Sequence, residues 1–104
     1  MPDHEWVLHT SPDSERDDAP ILLRSLETWG PSRALNYMHE LDAALDSLLE
    51  NPFAGAPRNE YLTGCRFWKM QHHHIYYRIR ETSVEVLRIL HERPDPTGQL
   101  ERFE

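Results

Sequence analysis

The chain has 104 residues, a formal net charge of −7 and 38% hydrophobic residues, a size suited to one domain with one core. A single cysteine excludes an internal disulfide, and no apolar run approaches the ~20 residues of a membrane span. The negative charge disfavours a surface that binds nucleic acid generally, and we expect no sequence-specific nucleic-acid binding. Residues 1–5 are acidic where a secretion signal would be basic, so we expect a cytoplasmic protein without membrane contact.

The charge is divided unevenly along the chain. Residues 1–60 carry 12 acidic and 4 basic side chains, whereas residues 66–93 carry 6 basic and 3 acidic ones. Four of the seven histidines also lie in the second segment. The sequence therefore predicts an acidic front and a mildly basic back, which leaves room for a local cationic surface.

The front of the chain begins with a short predicted strand at residues 5–10. Ser11-Pro12 is a typical helix start, because a serine hydroxyl caps the first turn and proline fits within it. Further along, Pro20 would remove one helical hydrogen bond and clash with the carbonyl four residues back. Either the helix is kinked there or a second helix begins there and runs to Trp29, and we favour the break.

The clearest element is a helix predicted from Pro31 to Glu50, in which apolar residues are spaced three and four apart. Gly30 separates it from the preceding helix. Asn51-Pro52 ends it, and residues 53–58 read as a loop because of their glycine and proline content.

The back of the chain is predicted to form three strands, at residues 66–71, 73–80 and 84–90. These segments are rich in aromatic and β-branched residues, and residues 81–83 between the last two suit a hairpin loop. Successive side chains of a strand point to opposite faces of the sheet. In the last strand, the two predicted faces are Leu87, Ile89 and His91 on one side and Val86, Arg88 and Leu90 on the other.

Together the elements predict a single α+β domain over residues 1–104. An N-terminal strand and two helices would pack on one face of a small antiparallel β-sheet. Residues 96–104 would follow as a short charged tail, which we expect to be flexible. Many small domains share this order of elements, so the order alone says little about function.

Short motifs spread from Val7 to Asp95 carry more information than the order of the elements. They are Trp29-Gly30 with Ala34 and Tyr37, Leu49-Glu50-Asn51-Pro52, Gly55 with Pro57, Gly64-Cys65-Arg66-Phe67-Trp68, Tyr76-Tyr77-Arg78-Ile79, and Leu87-Arg88-Ile89-Leu90-His91-Glu92-Arg93-Pro94-Asp95. Each motif alone is weak. In their order and spacing they resemble the ParE branch of the RelE/ParE toxin superfamily.

This resemblance implies a bacterial toxin of a type II toxin–antitoxin system. ParE-like toxins act on DNA gyrase by trapping it on cleaved DNA, and a ParD-like antitoxin neutralises them with an initially disordered C-terminal segment. The resemblance implies a protein that needs no cofactor and is not itself an enzyme. Pro20 departs from the continuous first helix of the family, which would alter the helices that face the antitoxin.

Basic and aromatic side chains on the predicted sheet are the candidates for target binding. Arg78, Arg80 and Arg88 would form a cationic strip with Tyr76, which could meet gyrase, its DNA or an acidic antitoxin segment. Alternatively, the same arginines pair with glutamates across strands, with each pair worth up to ~1 kcal/mol. The target-binding candidates are Arg66, Trp68, Arg78, Arg88, His91 and Arg93.

Two other functions remain open at this stage. A RelE-like toxin cuts mRNA on the ribosome, which requires cations for the phosphate and a proton donor and acceptor near the 2′-hydroxyl. The catalytic residues of that alternative would be Glu60, Arg66, Arg88, His91 and Arg93. The charge of −7 disfavours ribosome binding. The third possibility is an inactive toxin that acts only as an antitoxin partner or co-repressor.

The helices carry more apolar residues than one sheet face requires, and an amphipathic antitoxin helix would cover the surplus. Trp29, at the end of a helix, is the tryptophan that we expect to touch an antitoxin. The antitoxin-binding candidates are Leu22, Leu23, Leu26, Trp29 and Leu35.

The run His72-His73-His74 raises the question of a metal site. Only His72 and His74 share one side of a strand, and two imidazoles fall short of a stable zinc site. We therefore expect no metal, and the three histidines read as a solvated strand end or hairpin.

Overall fold

The computed structural model describes residues 6–92 and 95–104. The elements in chain order are strand β1 (Val7–Thr10), helices α1 (Pro12–Trp29) and α2 (Pro31–Glu50), strands β2 (Ala56–Pro57), β3 (Cys65–Met70), β4 (His73–Arg80) and β5 (Ser83–His91), and the short helix α3 (Thr97–Leu100). Short 3₁₀ turns follow α2 and α3. The predicted α+β fold is therefore confirmed, and within the described part no helix is both long and apolar enough to cross a membrane.

Helix α1 runs without a break through Pro20, so the predicted division there is wrong. The Ser11 hydroxyl caps the helix by accepting from the Ser14 N–H at 3.0 Å. Pro20 and Arg16 are both exposed, so water can hydrate the Arg16 carbonyl, which Pro20 leaves without its donor. Beyond Pro20, Ile21 packs against the core, which holds the second half of the helix in line. Tertiary contacts thus override the local preference of proline.

The sheet has the strand order β1-β5-β4-β3-β2. Strands β2 to β5 pair antiparallel, but β1 lies parallel to β5, with Val7 opposite Ser83 and Thr10 opposite Val86. The sheet is consequently mixed rather than purely antiparallel. Helices α1 and α2 follow β1 directly in the chain and pack over one face of the sheet.

Both faces of the sheet are covered. Helix α2 packs Leu48 and Leu41 against Ile75 and Tyr77 in the first core. Tyr76, the neighbour of Tyr77, points the other way into a second core, as the predicted alternation of β4 requires. The members of the second core are Leu62, Cys65, Tyr76, Leu87, Leu90 and Leu100.

The C-terminal segment covers the second face. Leu100 of α3 is fully buried there, and Phe103 packs beside it. Arg102 adds an ion pair to Asp13 of α1, with Nη1 2.8 Å from Oδ2. The structure therefore folds residues 97–103 onto the sheet, where the sequence indicated a free tail.

A β-bulge breaks the expected alternation of β5. Tyr76 lies opposite Arg88 whereas Tyr77 lies opposite Val86, which leaves Leu87 as the extra residue. Val86 and Ile89 consequently both belong to the first core. The strict alternation predicted from Val86 to Leu90 is wrong at this point, and the bulge sets the direction of Arg88.

Candidate functional site

Arg88 forms a bidentate ion pair with Asp17. Its Nε and Nη2 each lie 2.8 Å from a carboxylate oxygen of Asp17. The same carboxylate accepts the Ile89 N–H at 2.9 Å. Strand β1 ends opposite Val86, so it does not cover the edge of β5 beyond that residue. The Asp17 carboxylate supplies an acceptor for the backbone N–H of Ile89 on this part of the edge. The hydrogen bond that Arg88 donates to Asp17 raises the pKa of Arg88, which therefore joins α1 to the sheet as a permanent cation.

Arg78 is engaged on the second face of the sheet. Its Nε lies 2.5 Å from Glu85 Oε1, and its Nη1 donates to the Phe103 carbonyl at 2.8 Å. The glutamate lies directly across from it on β5. The predicted pairing of an arginine with a glutamate across strands is therefore found for Arg78. Arg88 instead pairs with Asp17 of α1.

Arg66 supports the loop that precedes β2. Its Nη1 donates to the Gly55 carbonyl at 2.7 Å and to the Phe53 carbonyl at 3.1 Å. Its guanidinium also lies 5.3 Å from the centre of the Phe53 ring. Arg66, Arg78 and Arg88, which we call the sheet arginines, are thus all bound by the chain itself.

Among the described residues of the nuclease alternative, Arg66, Arg88 and His91 do not come together in one site. Arg66 lies opposite Tyr77 and faces the first core, whereas Arg88 lies opposite Tyr76 and faces the second. His91 pairs with position 73, four residues from Tyr77 along β4 and two strands from Arg66. Strand geometry separates Arg66 from His91 by about 16 Å.

The remaining sequence candidates have different surroundings. Trp68 is half-buried against the first core, and Glu60 and His91 are exposed. The His91 ring lies 5.4 Å from the His73 ring. Arg93 lies outside the described residues.

A row of cationic and aromatic side chains lies on β3, β4 and the loop before them, and the sequence did not reveal it. The Arg58 guanidinium lies 4.6 Å from the centre of the Phe67 ring, which lies 4.6 Å from the His74 ring. Lys69, directly opposite His74, keeps 61% of its side chain exposed beside Glu92. We call Arg58, Phe67, Lys69 and His74 the β3–β4 strip. Only the strand register brings them together.

The histidine run lies at the turn between β3 and β4 and at the start of β4. No group of three or more metal-binding side chains occurs within residues 6–92 and 95–104. Burial lowers the pKa of His73 and of His74, which favours their neutral forms. Glu92 lies 3.8 Å from the His72 ring and 4.0 Å from the His74 ring, and its own pKa is lowered, chiefly by Lys69.

Apolar side chains are exposed where α1 meets α2. Gly30 makes this turn at φ 92°, a conformation that favours glycine. Trp29 is 64% exposed, and the Arg33 guanidinium lies 4.9 Å from its ring. We call this exposed set the hairpin-tip patch; its members are Leu23, Leu26, Trp29, Leu35 and Met38.

Four of the five antitoxin-binding candidates lie in the hairpin-tip patch. The exception is Leu22, which is half-buried and packs against the first core. Met38 was not among the candidates, although its position three residues after Leu35 places both on one side of α2. A patch of this kind is typical of a protein-binding surface.

Asp18 of α1 is half-buried among other acidic side chains of α1 and α2. Burial, together with the charges of Asp17, Glu15 and Asp42, raises the pKa of Asp18 to about 6. Tyr37 of α2 is 4% exposed, and burial and the Asp18 charge raise the pKa of its hydroxyl.

Residues 12–96 match the family described as the ParE toxin of the type II toxin–antitoxin system parDE. The chain belongs to this family. The match extends from the first residue of α1 to the start of the C-terminal segment, so it covers the helices and the sheet described above. The predicted kinship with ParE toxins is confirmed.

Two relatives of this ParE-family chain show how similar it is to known toxins. It is 34% identical to Toxin ParE1 of Mycobacterium tuberculosis over 70 residues, which is 66% of this chain and 71% of the relative. It is 32% identical to Toxin ParE1 of Caulobacter vibrioides over 76 residues, which is 73% of this chain and 78% of that protein.

Solved structures share the fold at lower sequence identity. A chain of the chromosomal ParDE toxin–antitoxin system from P. aeruginosa superposes with a TM-score of 0.75 at 19% identity, covering 88% of this chain and all of that one. A chain of the toxin–antitoxin complex RelBE2 from Mycobacterium tuberculosis gives 0.62 at 23% identity, covering 86% and 100%. At these identities the likeness concerns the fold alone.

Proposed function

We propose that this ParE-family toxin acts in the cytoplasm by binding DNA gyrase on cleaved DNA, and that a ParD-like antitoxin neutralises it. Membership of the ParE family supports the activity. The observation that carries the binding model is the hairpin-tip patch, in which apolar side chains remain exposed beside a fully packed core. An amphipathic helix that covered them would gain the free energy of burying apolar surface.

The antitoxin surface can be tested with variants of the hairpin-tip patch. We expect Trp29→Ala and Leu26→Ala each to weaken antitoxin binding by about 10-fold or more, because exposed aromatic and aliphatic anchors dominate interfaces of this kind. Val7→Ala is the matched control, since Val7 is an exposed apolar residue of β1. Equal affinity for all three variants and the wild type would exclude this surface.

The target would meet the toxin elsewhere, on the sheet. The sheet arginines are bound inside the fold. In the β3–β4 strip, Lys69 forms an ion pair with Glu92 but keeps 61% of its side chain exposed, and the half-buried Arg58 lies against the Phe67 ring. We therefore assign the gyrase or DNA contact to this strip. Replacing both Arg58 and Lys69 by alanine should reduce gyrase inhibition while antitoxin binding is retained, and the exposed Arg80→Ala serves as the control.

The placement of the described nuclease candidates supports inhibition by binding rather than by catalysis. Arg66 and Arg88 face opposite sides of the sheet, and each guanidinium is already engaged. A single phosphate cannot contact both groups. The RelE-like alternative would therefore need other residues, and the inactive-partner alternative is separated from ours by a direct test of toxicity.

The deciding experiment expresses the toxin without antitoxin in bacteria. We expect induction of the DNA-damage response with intact mRNA, and restored growth when the antitoxin is co-expressed. Loss of mRNA with undamaged DNA would contradict the gyrase model and favour the nuclease. Absence of toxicity with antitoxin binding retained would favour the inactive partner.

A further inference from the structure

Four histidines meet at one end of the sheet, where β4 begins and β5 ends. The His73 ring lies 5.4 Å from the His91 ring, which in turn lies 6.4 Å from the His72 ring. His74 follows on the other face of β4, with its Nε2 4.0 Å from a carboxylate oxygen of Glu92. We call His72, His73, His74 and His91 the histidine cluster. The proposed function uses only His74 of this cluster.

His73 is held between the sheet and helix α2. It is half-buried, and its Nδ1 is buried without a hydrogen-bond partner among the described residues. Its ring lies 6.0 Å from the ring of Tyr37, a residue of α2 that is only 4% exposed. The imidazolium cation carries an N–H on both ring nitrogens, so protonation makes Nδ1 a buried donor without an acceptor. Burial accordingly lowers the pKa of His73, which favours the neutral ring.

The groups that face His73 do not offset a positive charge on its ring. The neighbouring rings of the cluster also gain charge in acid, so they repel it. Glu92 attracts the charge, but this carboxylate is already 3.4 Å from the Lys69 ammonium group. On the side of α2, the Glu40 carboxylate is bound by the side chain of Gln71 in the turn before β4. Acid therefore accumulates positive charge around a half-buried ring.

The last backbone pairing between β4 and β5 runs through the same residue. His73 lies opposite His91, and one residue further along β5 the Glu92 N–H donates to the His72 carbonyl at 2.8 Å. The ends of strands open at a lower free-energy cost than the centre of a sheet. Repulsion within the cluster is therefore relieved when the end of β5 separates from the start of β4, because the His73 ring then reaches water.

We propose that the histidine cluster is a pH-sensitive switch, whose protonation in mild acid separates residues 72–74 from residues 90–92 at this end of the sheet. The switch goes beyond the proposed function, because it is a property of the toxin alone. The open form binds the proton of His73 more tightly than the closed form, since water hydrates the cation. The closed form is thus favoured above the ordinary histidine pKa of about 6.5, and the open form gains as the pH falls below it. Opening also moves His74, a member of the β3–β4 strip.

The experiment follows amide hydrogen exchange of the purified protein by NMR at about pH 7.5 and about pH 5.5, with each rate divided by its intrinsic value. We expect the protection of residues 90–92 to fall by about threefold or more at the lower pH. Residues 83–86, at the other end of β5, should change by less than about twofold, because they lie away from the cluster. Constant protection of residues 90–92, or an equal loss at both ends of β5, would overturn the inference.

A variant of His73 tests which group carries the effect. His73→Phe removes the titrating nitrogens and keeps an aromatic ring beside Tyr37. We expect it to retain the protection of residues 90–92 at about pH 5.5, because no charge enters the site. The matched control is His39→Phe, the same change at an exposed histidine of α2, which should behave as the wild type. Loss of protection by His73→Phe equal to that of the wild type would contradict the switch.

A second measurement needs no variant, so it remains decisive if His73→Phe does not fold. The ring proton resonances of His73, followed by NMR as a function of pH, should give a pKa below the ordinary value of about 6.5. The amide resonances of residues 90–92 should shift with the same midpoint. A His73 pKa at or above the ordinary value, or amide resonances that do not follow it, would refute the proposal.

Discussion

The sheet arginines find hydrogen-bond partners within the folded chain, whereas the apolar side chains of the hairpin-tip patch are left in contact with water. Arg66, Arg78 and Arg88 each bind carboxylates or carbonyls of the same chain. Trp29 and its neighbours at the tip remain in solvent although they are apolar. The difference teaches that a basic segment of sequence does not by itself mark a binding surface. The groups available to a partner are those that the fold leaves unsatisfied.

The largest expected effect concerns Arg88. Replacing Arg88 by alanine leaves the mostly buried Asp17 carboxylate without its cation, which should lower the free energy of unfolding by about 3 kcal/mol. Urea denaturation measures the loss, and the exposed Arg80→Ala should change it by less than about 0.5 kcal/mol. If Arg88→Ala kept wild-type stability but lost toxicity, Arg88 would be a target contact. The contrast between internally bound sheet arginines and an exposed hairpin-tip patch would then be wrong.

A second large effect is expected in the loop that Arg66 supports. The buried Tyr77 hydroxyl donates to the Pro52 carbonyl at 2.7 Å and accepts the Gly55 N–H at 2.9 Å. Tyr77→Phe leaves both backbone groups unpaired and should cost about 2 kcal/mol of stability. Thermal or urea unfolding would measure this loss.

A glycine pair provides the matched control for that loop. A Cβ at Gly55 would collide with the Tyr77 side chain and with the Phe67 carbonyl, so Gly55→Ala should also destabilise the fold. Gly98→Ala meets no atom within 4 Å and should leave stability nearly unchanged. Equal stability of the two alanine variants would contradict the packing described for Tyr77 and Arg66.

Asp18→Asn should raise the free energy of unfolding at neutral pH, by less than Arg88→Ala lowers it. The raised pKa of Asp18 means that the folded state binds its proton more tightly than the unfolded state. The stability of the wild type therefore falls as pH rises from about 4 to about 6, relative to the variant. Above about pH 7 the variant should be more stable by about 1 kcal/mol, a value reduced because the carboxyl is only half-buried. A variant less stable than the wild type at neutral pH would contradict the unfavourable burial of the Asp18 charge.

The smallest stability effect is expected at the tip. Trp29→Ala removes a side chain that is 64% exposed, so the free energy of unfolding should change by no more than about 0.5 kcal/mol. Calorimetric or urea unfolding measures it alongside the antitoxin affinity. A large destabilisation would show that the hairpin-tip patch supports the fold, and the contrast with the sheet arginines would disappear.

Local patterns were sufficient for the regular elements. The predicted bounds of α2 at Pro31 and Glu50 and of β4 at His73 and Arg80 agree with the structure, because leucine spacing and alternation are set within each segment. Pro20 misled the prediction of α1, since contacts on both sides of it hold the helix together. Leu100 likewise gave no local sign that it would enter a second core.

The candidate site was harder to predict because its contacts join distant segments. Asp17 and Arg88 are 71 positions apart, and no local sequence pattern around either residue indicates that the two form an ion pair. The β3–β4 strip depends on strand register, which a single sequence does not specify. The exposure of Trp29 and Leu35 was predictable, because the helices carried more apolar residues than one sheet face could bury.

The most direct test of the central proposal is a DNA-cleavage assay with purified gyrase. The toxin is added to gyrase and supercoiled plasmid, protein is then denatured and digested, and linear DNA is quantified. Inhibition by binding predicts linear DNA that increases with toxin concentration and disappears when the antitoxin is added first. Absence of linear DNA at every toxin concentration, with a preparation that arrests growth in cells, would contradict it.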